Sequence, residues 1–440
     1  MDTEDRGRHA PSSRRLPLWR QRNFMLLWTG QTISLTGSAV TTIALPLVAI
    51  AVLNASSFEV GLLTAATYGA AIFVSLPAGV VVDRVSKRRI MIWCDSSRIV
   101  IIGSVPVAAA LHWLTLGQLY AVALAAGVCT VFFDVSQQSF LSFILDPRDL
   151  TEGFGKFRAS ASFAEVSGRG LASLLIAFIG AAGAVLADAL SYAVSATCLL
   201  LARVHESRPE RSTRDARQLR MDIVRGLAFI ANHPVLRKTT ECAAAGNFFI
   251  AMQISLDLLF LVRVLHVSPA LAGLLTALGS LGGIIGGMLT VPVSRRIGSA
   301  RIIWFSILVF DAPSLVLPLA GPGWRMALFV LGYSVSAFAC AIFSVSQLAY
   351  QQSVCPPELR GRVNAASRWV IWGTLPVGGI LGGILGSVIG IRSAIWIAYV
   401  GVWACGFLVF FSPLRHVRDF PDLEQGGAAP VTVDQSQAAR

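Results

Sequence analysis

The chain has 440 residues, of which 55% are hydrophobic and 14% charged, with a mean hydropathy of +0.67. A soluble domain of this length needs far more charge to cover its surface, so the composition excludes one and makes the bilayer the solvent. The formal net charge of +12 does not indicate nucleic acid, because the basic residues sit in short clusters between apolar runs and not on one domain.

Residues 1–22 form a polar, Arg-rich tail without the apolar core and small-residue cleavage site of a signal peptide, so the first apolar run is expected to be a retained helix. Twelve runs long enough to cross a bilayer at roughly 20 residues each follow. They cover 24–52, 58–82, 90–111, 116–143, 159–180, 184–203, 239–263, 268–293, 301–320, 325–349, 366–389 and 393–412. Positive charge falls in alternate connections: Arg84 with Lys87, Arg88 and Arg89; Arg148 with Lys156 and Arg158; Arg295 with Arg296; Arg360 with Arg362. The intervening connections carry at most an isolated Arg263, Arg325 or Arg392. This bias predicts a multi-pass protein of the inner (plasma) membrane with both termini in the cytoplasm.

The longest polar stretch, 204–238, reads as a cytoplasmic connector with an amphipathic surface helix around Met221–Ile230. It separates an N-terminal six-helix bundle (23–203) from a C-terminal one (239–412), followed by a cytoplasmic tail (413–440). The two bundles are related. Gly61-Leu-Leu-Thr-Ala65 recurs as Gly273-Leu-Leu-Thr-Ala277, an offset of 212, and Val135-Ser-Gln137 recurs as Val345-Ser-Gln347, an offset of 210. The fold class is therefore an all-α membrane protein of about twelve transmembrane helices in two six-helix pseudo-repeats, with a pathway expected between the halves.

Scattered cysteines without a CxxC, and histidines at loops and tails, point to neither disulfides nor a metal, and no cofactor is expected. Gly-x-Gly sequences lie inside apolar spans, and GxxxxGK[ST] is absent, so ATP is not indicated as an energy source. No nucleophile or metal constellation suggests an enzyme.

Gly79-Val-Val-Val-Asp83-Arg84-Val-Ser-Lys87-Arg88-Arg89 resembles the loop motif between helices 2 and 3 of the major facilitator superfamily, with Ser86 where Gly is usual. Pro357-Glu-Leu-Arg-Gly-Arg-Val363 and Asp188-Ala-Leu-Ser-Tyr192 are similar to further patterns of that family. The resemblance spans roughly residues 18–415 and is strongest to the drug/proton antiporter branch, with its macrolide and siderophore exporters. It implies a major facilitator fold in which helices 1, 4, 7 and 10 line a central cavity. It also implies that Asp83 docks on the start of helix 11 as a conformational latch, with Gly79, Arg84, Lys87, Arg88 and Arg89 around it. From the residues alone, Gly79 suits a close helix approach and Asp83 requires a cationic partner or a helix N-terminus, the alternative being a topology signal only. The fifth span departs from the family, with Gly168-Arg169-Gly170 where Pro is expected. Glu165 precedes Arg169 by four residues, so the two form either a coupling or substrate pair or a structural ion pair.

Ionisable groups inside spans are costly and are functional candidates by default. Asp134, in the fourth span, ranks first for proton coupling, with Glu165, Arg169 and Asp257 as further candidates. Asp311 is expected at the lipid edge or in a structural role, Asp188 in capping or packing, and Asp95 with Arg98 in a local salt bridge. Gln31, Ser34, Ser38 and Thr41 in the first span, Gln137 and Gln138 in the fourth, and Asn247, Gln253 and Gln347 in the second half are the expected polar lining of the cavity. Phe132, Phe133, Phe248 and Phe249 would make that cavity apolar. Gly279, Gly283 and Gly287, and Gly379 with Gly383, have the spacing of close helix contacts between the moving bundles. The expected function is proton-coupled efflux of an amphipathic drug-like or secondary-metabolite compound by a monomeric antiporter whose partners are a small molecule, protons and lipid. A siderophore or nutrient carrier and a non-transporting receptor or scaffold are the alternatives.

Overall fold

The computed structural model describes residues 18–145, 149–202, 216–356 and 359–419. Residues 1–17 and 420–440 of the tails, residues 146–148, residues 203–215 of the polar connector, and Pro357 with Glu358 lie outside the described residues, as does the side chain of Asp83. The first half comprises α1 (Arg22–Ala51), α2 (Ser57–Arg84), α3 (Lys87–Ala110), α4 (Leu116–Ile144) and α5 (Leu150–Leu201). After the connector helix α6 (Ala216–Asn232) come α7 (Pro234–Leu259), α8 (Pro269–Ile297), α9 (Arg301–Phe305), α10 (Met326–Val354), α11 (Arg360–Gly373), α12 (Leu375–Val388) and α13 (Ile391–Phe410). Serine and threonine start several of these helices. Ser56 and Glu59 close a reciprocal capping box on α2, while Thr115 and Ser268 cap α4 and α8.

Ten stretches of the described residues are long and apolar enough to cross a membrane, and the 28-residue α2 packs among them. The twelfth crossing is hidden in α5. At 1.5 Å per residue its 52 residues would run ~78 Å, against roughly 30 Å of hydrocarbon. Gly180, with φ 73° and ψ 169°, breaks it in the middle. Gly168 packs on Thr36 and Ala39 while Asp188 and Ser191 pack on Gly37, so both arms lie against the same stretch of α1 and the chain must double back between them. The break between the fifth and sixth expected spans is thus a single glycine, Gly180. Prolines fragment two other spans. Arg301–Leu319 passes from α9 through a π-helical turn to a 3₁₀ stretch at Pro313 and Pro318, and α11 breaks from α12 before Pro376.

The repeat is geometric as well as sequential. α1 and α7 start 212 residues apart, as do α2 and α8, while α4 and α10 are both 29 residues and offset by 210. Left-handed backbone recurs at nearly the same offsets: Asn54 with His266 (212), His112 with Gly323 (211), and Gly180 with Gly390 (210).

One buried core runs through both halves, from Val40 and Tyr192 in the first to Phe260 and Tyr399 in the second, and the halves meet along α2 with α12 and α5 with α8. At the first contact a Cβ on Gly61 would lie 2.5 Å from the Gly379 carbonyl oxygen and 2.9 Å from Cα of Gly383. At the second, Gly273 faces Ser173, whose hydroxyl donates to the Ala270 carbonyl at 2.7 Å. Ser173 and Gly383 are 210 residues apart and Gly61 and Gly273 are 212 apart, so the two contacts are the same contact repeated. They close the face that carries Arg263, whose guanidinium donates to the Ala55 carbonyl. The opposite face, carrying the Arg and Lys clusters, is called the basic face below. Large apolar side chains such as Leu174 and Phe178 on α5 are 58% and 83% exposed, an outward surface that only lipid satisfies.

One packing expectation is corrected. Gly379 and Gly383 do pack between the halves, but α8 uses Gly279, Gly282 and Gly286 against Tyr333, Ser334 and Phe338 of α10, within its own half. Gly287 meets nothing within 4 Å. The amphipathic connector helix lies on α11, with Gly226 against the Arg362 backbone and Leu227, Phe229 and Ile230 in a small core with Val363 and Ala366.

Candidate functional site

Two cavities of about 590 and 740 Å³ share Arg158, Ile250, Ser336, Cys340 and Ser344, forming one space between the halves. Its mouth is on the basic face, where Arg158 of α5, Gln352 of α10 and Asn364 and Arg368 of α11 are exposed along its wall. The glycine contacts on the other face seal its far end.

Its floor is polar. Glu165 and Arg169 lie one turn apart on α5, and Arg169 Nη2 donates to Glu165 Oε1 at 2.9 Å. Arg169 Nη1 reaches across to the other half, donating to Ser280 Oγ of α8 and Tyr333 Oη of α10. Gly168 makes this possible by letting α5 press on Thr36 and Ala39, which orients the next residue inward. Glu165 is 62% exposed within the water-accessible space while Arg169 is 19% exposed, so the pair is wet on the acid side and packed on the base side. Facing it from α7, Asp257 is 4% exposed. Its Oδ2 accepts from Tyr399 Oη at 3.3 Å and its Oδ1 has no partner. A buried carboxyl with one neutral donor and a vacant oxygen has room for a proton or a cationic ligand group. Tyr68 completes the floor, and Ile254, Ile284, Met288 and Trp372 give the walls their apolar character.

The expected site residues divide by helix: α5, α7 and α10 supply those that line the cavity, and α1 and α4 do not. Glu165, Arg169 and Asp257 converge, and Asn247, Gln253 and Gln347 line the cavity as expected. Neither cavity is lined by Gln31, Ser34, Ser38, Thr41, Gln137 or Gln138. Gln31 and Ser34 are buried inside the first half, and Ser38 Oγ pairs with Tyr192 Oη at 2.8 Å. The reason is that Gly30 and Gly37 turn this face of α1 onto α5, where hydroxyls bond inside the bundle. Asp134 lines neither cavity, although Ser344, 210 residues on, lines both. Its exposed carboxyl feels Arg98 from behind and Arg368 from across the halves. Phe133 is buried under Arg98 and Phe249 packs on Gly401, so neither lines the cavity.

Near the end of α2, a Cβ on Gly79 would meet nothing within 4 Å among the described residues. Arg88 donates to the Leu199 and Leu200 carbonyls at 2.8 and 2.9 Å, capping the end of α5. Arg84 and Arg89 are exposed, and Lys87 is half-buried. Asp311, expected at the lipid edge or in a structural role, is 1% exposed and reaches the cavity wall. Sequence reasoning missed Tyr68, Tyr333 and Tyr399. A tyrosine in mid-span is the signal that was available, since its hydroxyl demands a partner there.

The family model of the Major Facilitator Superfamily matches residues 27–374 and 242–435. The chain is 22% identical over 386 residues to the multidrug efflux pump Tap of Mycolicibacterium fortuitum, covering 86% of this chain and 92% of that one. A 92-residue stretch is 35% identical to the high-affinity gluconate transporter ght3 of Schizosaccharomyces pombe, covering 21% of this chain and 16% of that one. Among solved structures, a bacterial homologue of the iron transporter ferroportin in an inward-facing state has a TM-score of 0.71 at 14% identity, covering 88% of this chain and 98% of that one. The D-xylose–proton symporter has a TM-score of 0.68 at 15% identity, covering 89% and 98%. At such identities the structures speak to the fold alone. With the family model spanning nearly the whole helical chain, the protein belongs to the Major Facilitator Superfamily, a family of membrane transporters and not of enzymes.

Proposed function

We propose that the chain is a monomeric secondary transporter of the inner (plasma) membrane that exports amphipathic drug-like or secondary-metabolite compounds in exchange for protons. The positive-inside bias supports placing the basic face, and with it both termini, in the cytoplasm. One observation carries the reading: a cavity of drug-ligand size, open on that face, with mostly apolar walls and the vacant carboxyl oxygen of Asp257 at its floor. The likeness to Tap supports efflux, while the short gluconate-transporter match supports the second reading, a nutrient or siderophore carrier. A sugar acid needs more hydrogen-bond donors than this lining offers. Alternating access follows from the paired contacts at Gly61 and Gly273, which part as the halves rock and the basic face closes. Gly79, Asp83, Arg84, Lys87, Arg88 and Arg89 then form a latch that engages only in that closed state.

The test uses everted membrane vesicles containing the protein, with a proton gradient monitored by a pH-sensitive dye. Tetraphenylphosphonium, ethidium and neutral macrolide-sized compounds are added in turn. Export by antiport predicts dissipation of the gradient by some of these with the intact chain and not with Asp257→Asn. A panel without any response, from protein that is folded and inserted, would sink the efflux reading.

A further inference from the structure

The first half contains a second polar cluster, away from both cavities, which the transport site does not use. Three sequence features meet in it: the Asp95–Arg98 pair of α3, the Asp188-Ala-Leu-Ser191-Tyr192 segment of α5 and the hydroxyls of α1. Asp95 and Asp188 are both 0% exposed, and Arg98 is 4% exposed. Arg98 Nη1 lies 3.4 Å from Asp95 Oδ1, a long contact. Its guanidinium is stacked between the rings of Tyr192 and Phe133, at 4.9 and 5.2 Å from their centroids, and its Nε has no partner. Asp188 Oδ1 accepts from Ser191 Oγ at 3.2 Å, and Gly37 is the residue that lets this carboxyl press against α1. Oδ2 of each aspartate is unpartnered. The Ser195 and Thr41 hydroxyls are near enough to act on the two carboxyls without completing a hydrogen bond of ordinary geometry. The other titratable groups facing the cluster are Cys94 of α3, Cys129 and Asp134 of α4, and Tyr192 of α5; α1 offers only hydroxyls among the described residues.

One guanidinium cannot neutralise two carboxylates in a dry bundle core, and an uncompensated charge there is strongly disfavoured. A single proton cancels the surplus charge and gives one of the orphaned oxygens its own O–H. The fold itself does not need the cluster. In the second half, 210 residues on, the positions of Asp188 and Tyr192 are held by Ala398 and Val402.

We propose that Asp95 and Asp188 together bind the transported proton, and that Arg98 relays its presence to Asp134. The proposal rests on the proton-coupled reading above and assigns its proton to a site remote from the substrate cavity. Loss of the proton leaves two carboxylates that draw Arg98 into the pair. Asp134, adjacent to Phe133 on α4, is then left to Arg368 of α11 across the cavity mouth, and that attraction favours closure of the basic face. Return of the proton lets Arg98 serve Asp134, and the mouth relaxes open. No bond other than the carboxylic O–H forms or breaks.

Two measurements on the full chain in nanodiscs test this without any substrate, so failure of the efflux reading leaves them intact. The first is infrared difference spectroscopy between acid and alkaline pH, which reads the C=O band of protonated carboxyls. The wild type is expected to lose a band on alkalinisation, Asp95→Asn and Asp188→Asn to lack it, and Asp188→Glu to restore it at a shifted position. The second is alkylation of the cavity residue Cys340, normalised at each pH to denatured protein. Acidification is expected to raise the rate several-fold in the wild type and to leave it unchanged in Asp188→Asn. Asp134→Asn should keep the infrared band yet lose the labelling response, which separates binding from relay. Survival of the band in both Asn variants, or wild-type pH dependence of labelling in Asp188→Asn, overturns the proposal and returns Asp257 as the coupling group. Should Asp188→Asn not fold, Asp95→Asn and Asp188→Glu carry the same comparison.

Discussion

Replacing Gly61 by alanine tests whether the paired glycine contacts hold the far face shut. The added methyl would sit 2.5 Å from the Gly379 carbonyl oxygen and 2.9 Å from Cα of Gly383, both backbone atoms that no rotamer change can move. Overpacking of this kind costs ~1–3 kcal/mol. The clash is between halves, so the cheapest relief is to part them on this face, which closes the basic face. The ratio of basic-face-open to closed protein should therefore fall roughly 5- to 150-fold. Cys340 is a native reporter, exposed in the cavity while Cys94, Cys242, Cys355 and Cys405 are buried. Its alkylation by an impermeant maleimide from the basic face should slow in proportion to the lost open population. Gly273→Ala is the internal control, because its methyl would meet Cα of Ser173 at 3.4 Å, an ordinary contact. Equal labelling in Gly61→Ala and wild type, or equal slowing in both variants, would refute the argument.

Other outcomes follow from the same geometry. Arg169→Gln severs the reach to Ser280 and Tyr333 and should slow Cys340 labelling by weakening the open state, whereas Glu165→Gln should shift thermal stability by no more than ~0.2–1 kcal/mol because its carboxylate is already in water. Gly180→Ala and Gly390→Ala force a side chain into backbone at φ 73° and 87°, which should cost ~1–3 kcal/mol each in unfolding measurements. His233 caps α7 by accepting from the Leu236 N–H at 3.2 Å, and burial holds its imidazole below the ordinary 6.5. The unfolded chain therefore takes up that proton first, and stability falls as pH drops below 6.5, by up to the ~1 kcal/mol of a cap. His233→Asn, which caps without titrating, should flatten that part of the pH–stability profile.

The repeat was legible because its signal is redundant: five residues at Gly61 and three at Val135 already carry the offsets that the helix starts reproduce. The ion pair on α5 was legible because Glu-to-Arg spacing on one helix needs no tertiary knowledge. The polar face of α1 misled for a physical reason. Thr32, Thr36, Ser38 and Thr42 all donate to carbonyls four residues back, so their hydroxyls report nothing about which side of the helix is wet. Glycine spacing had a similar ambiguity in α8, where two interleaved sets run through Gly279–Gly287 and α10 packs on Gly279 of one and on Gly282 and Gly286 of the other. For Asp311 the sequence left the lipid edge and a structural role open, and its burial beside the 3₁₀ stretch excludes the lipid edge.

What the repeat preserves and what it abandons separate motion from chemistry. The contacts that close the far face occur in both halves at matching positions, as do the left-handed turns that set helix direction, so either half can rotate against the other about one axis. The charged groups do not match. Arg169 falls opposite Gly379, Asp257 opposite Leu45, and Asp188 opposite Ala398. A symmetric frame supplies two interchangeable orientations of the cavity, but equal groups on both walls would give a ligand or proton no preferred partner. Placing the bridging base on one half and the vacant acid on the other makes their separation the quantity that changes as the halves rock. Asp257→Asn should therefore abolish proton release on addition of a cationic compound, which loses its partner on the second half, while Cys340 labelling stays near wild type because the bridge from Arg169 to Ser280 and Tyr333 is untouched. Retained release in that variant would mean that the acid on the second half is not the ligand's partner.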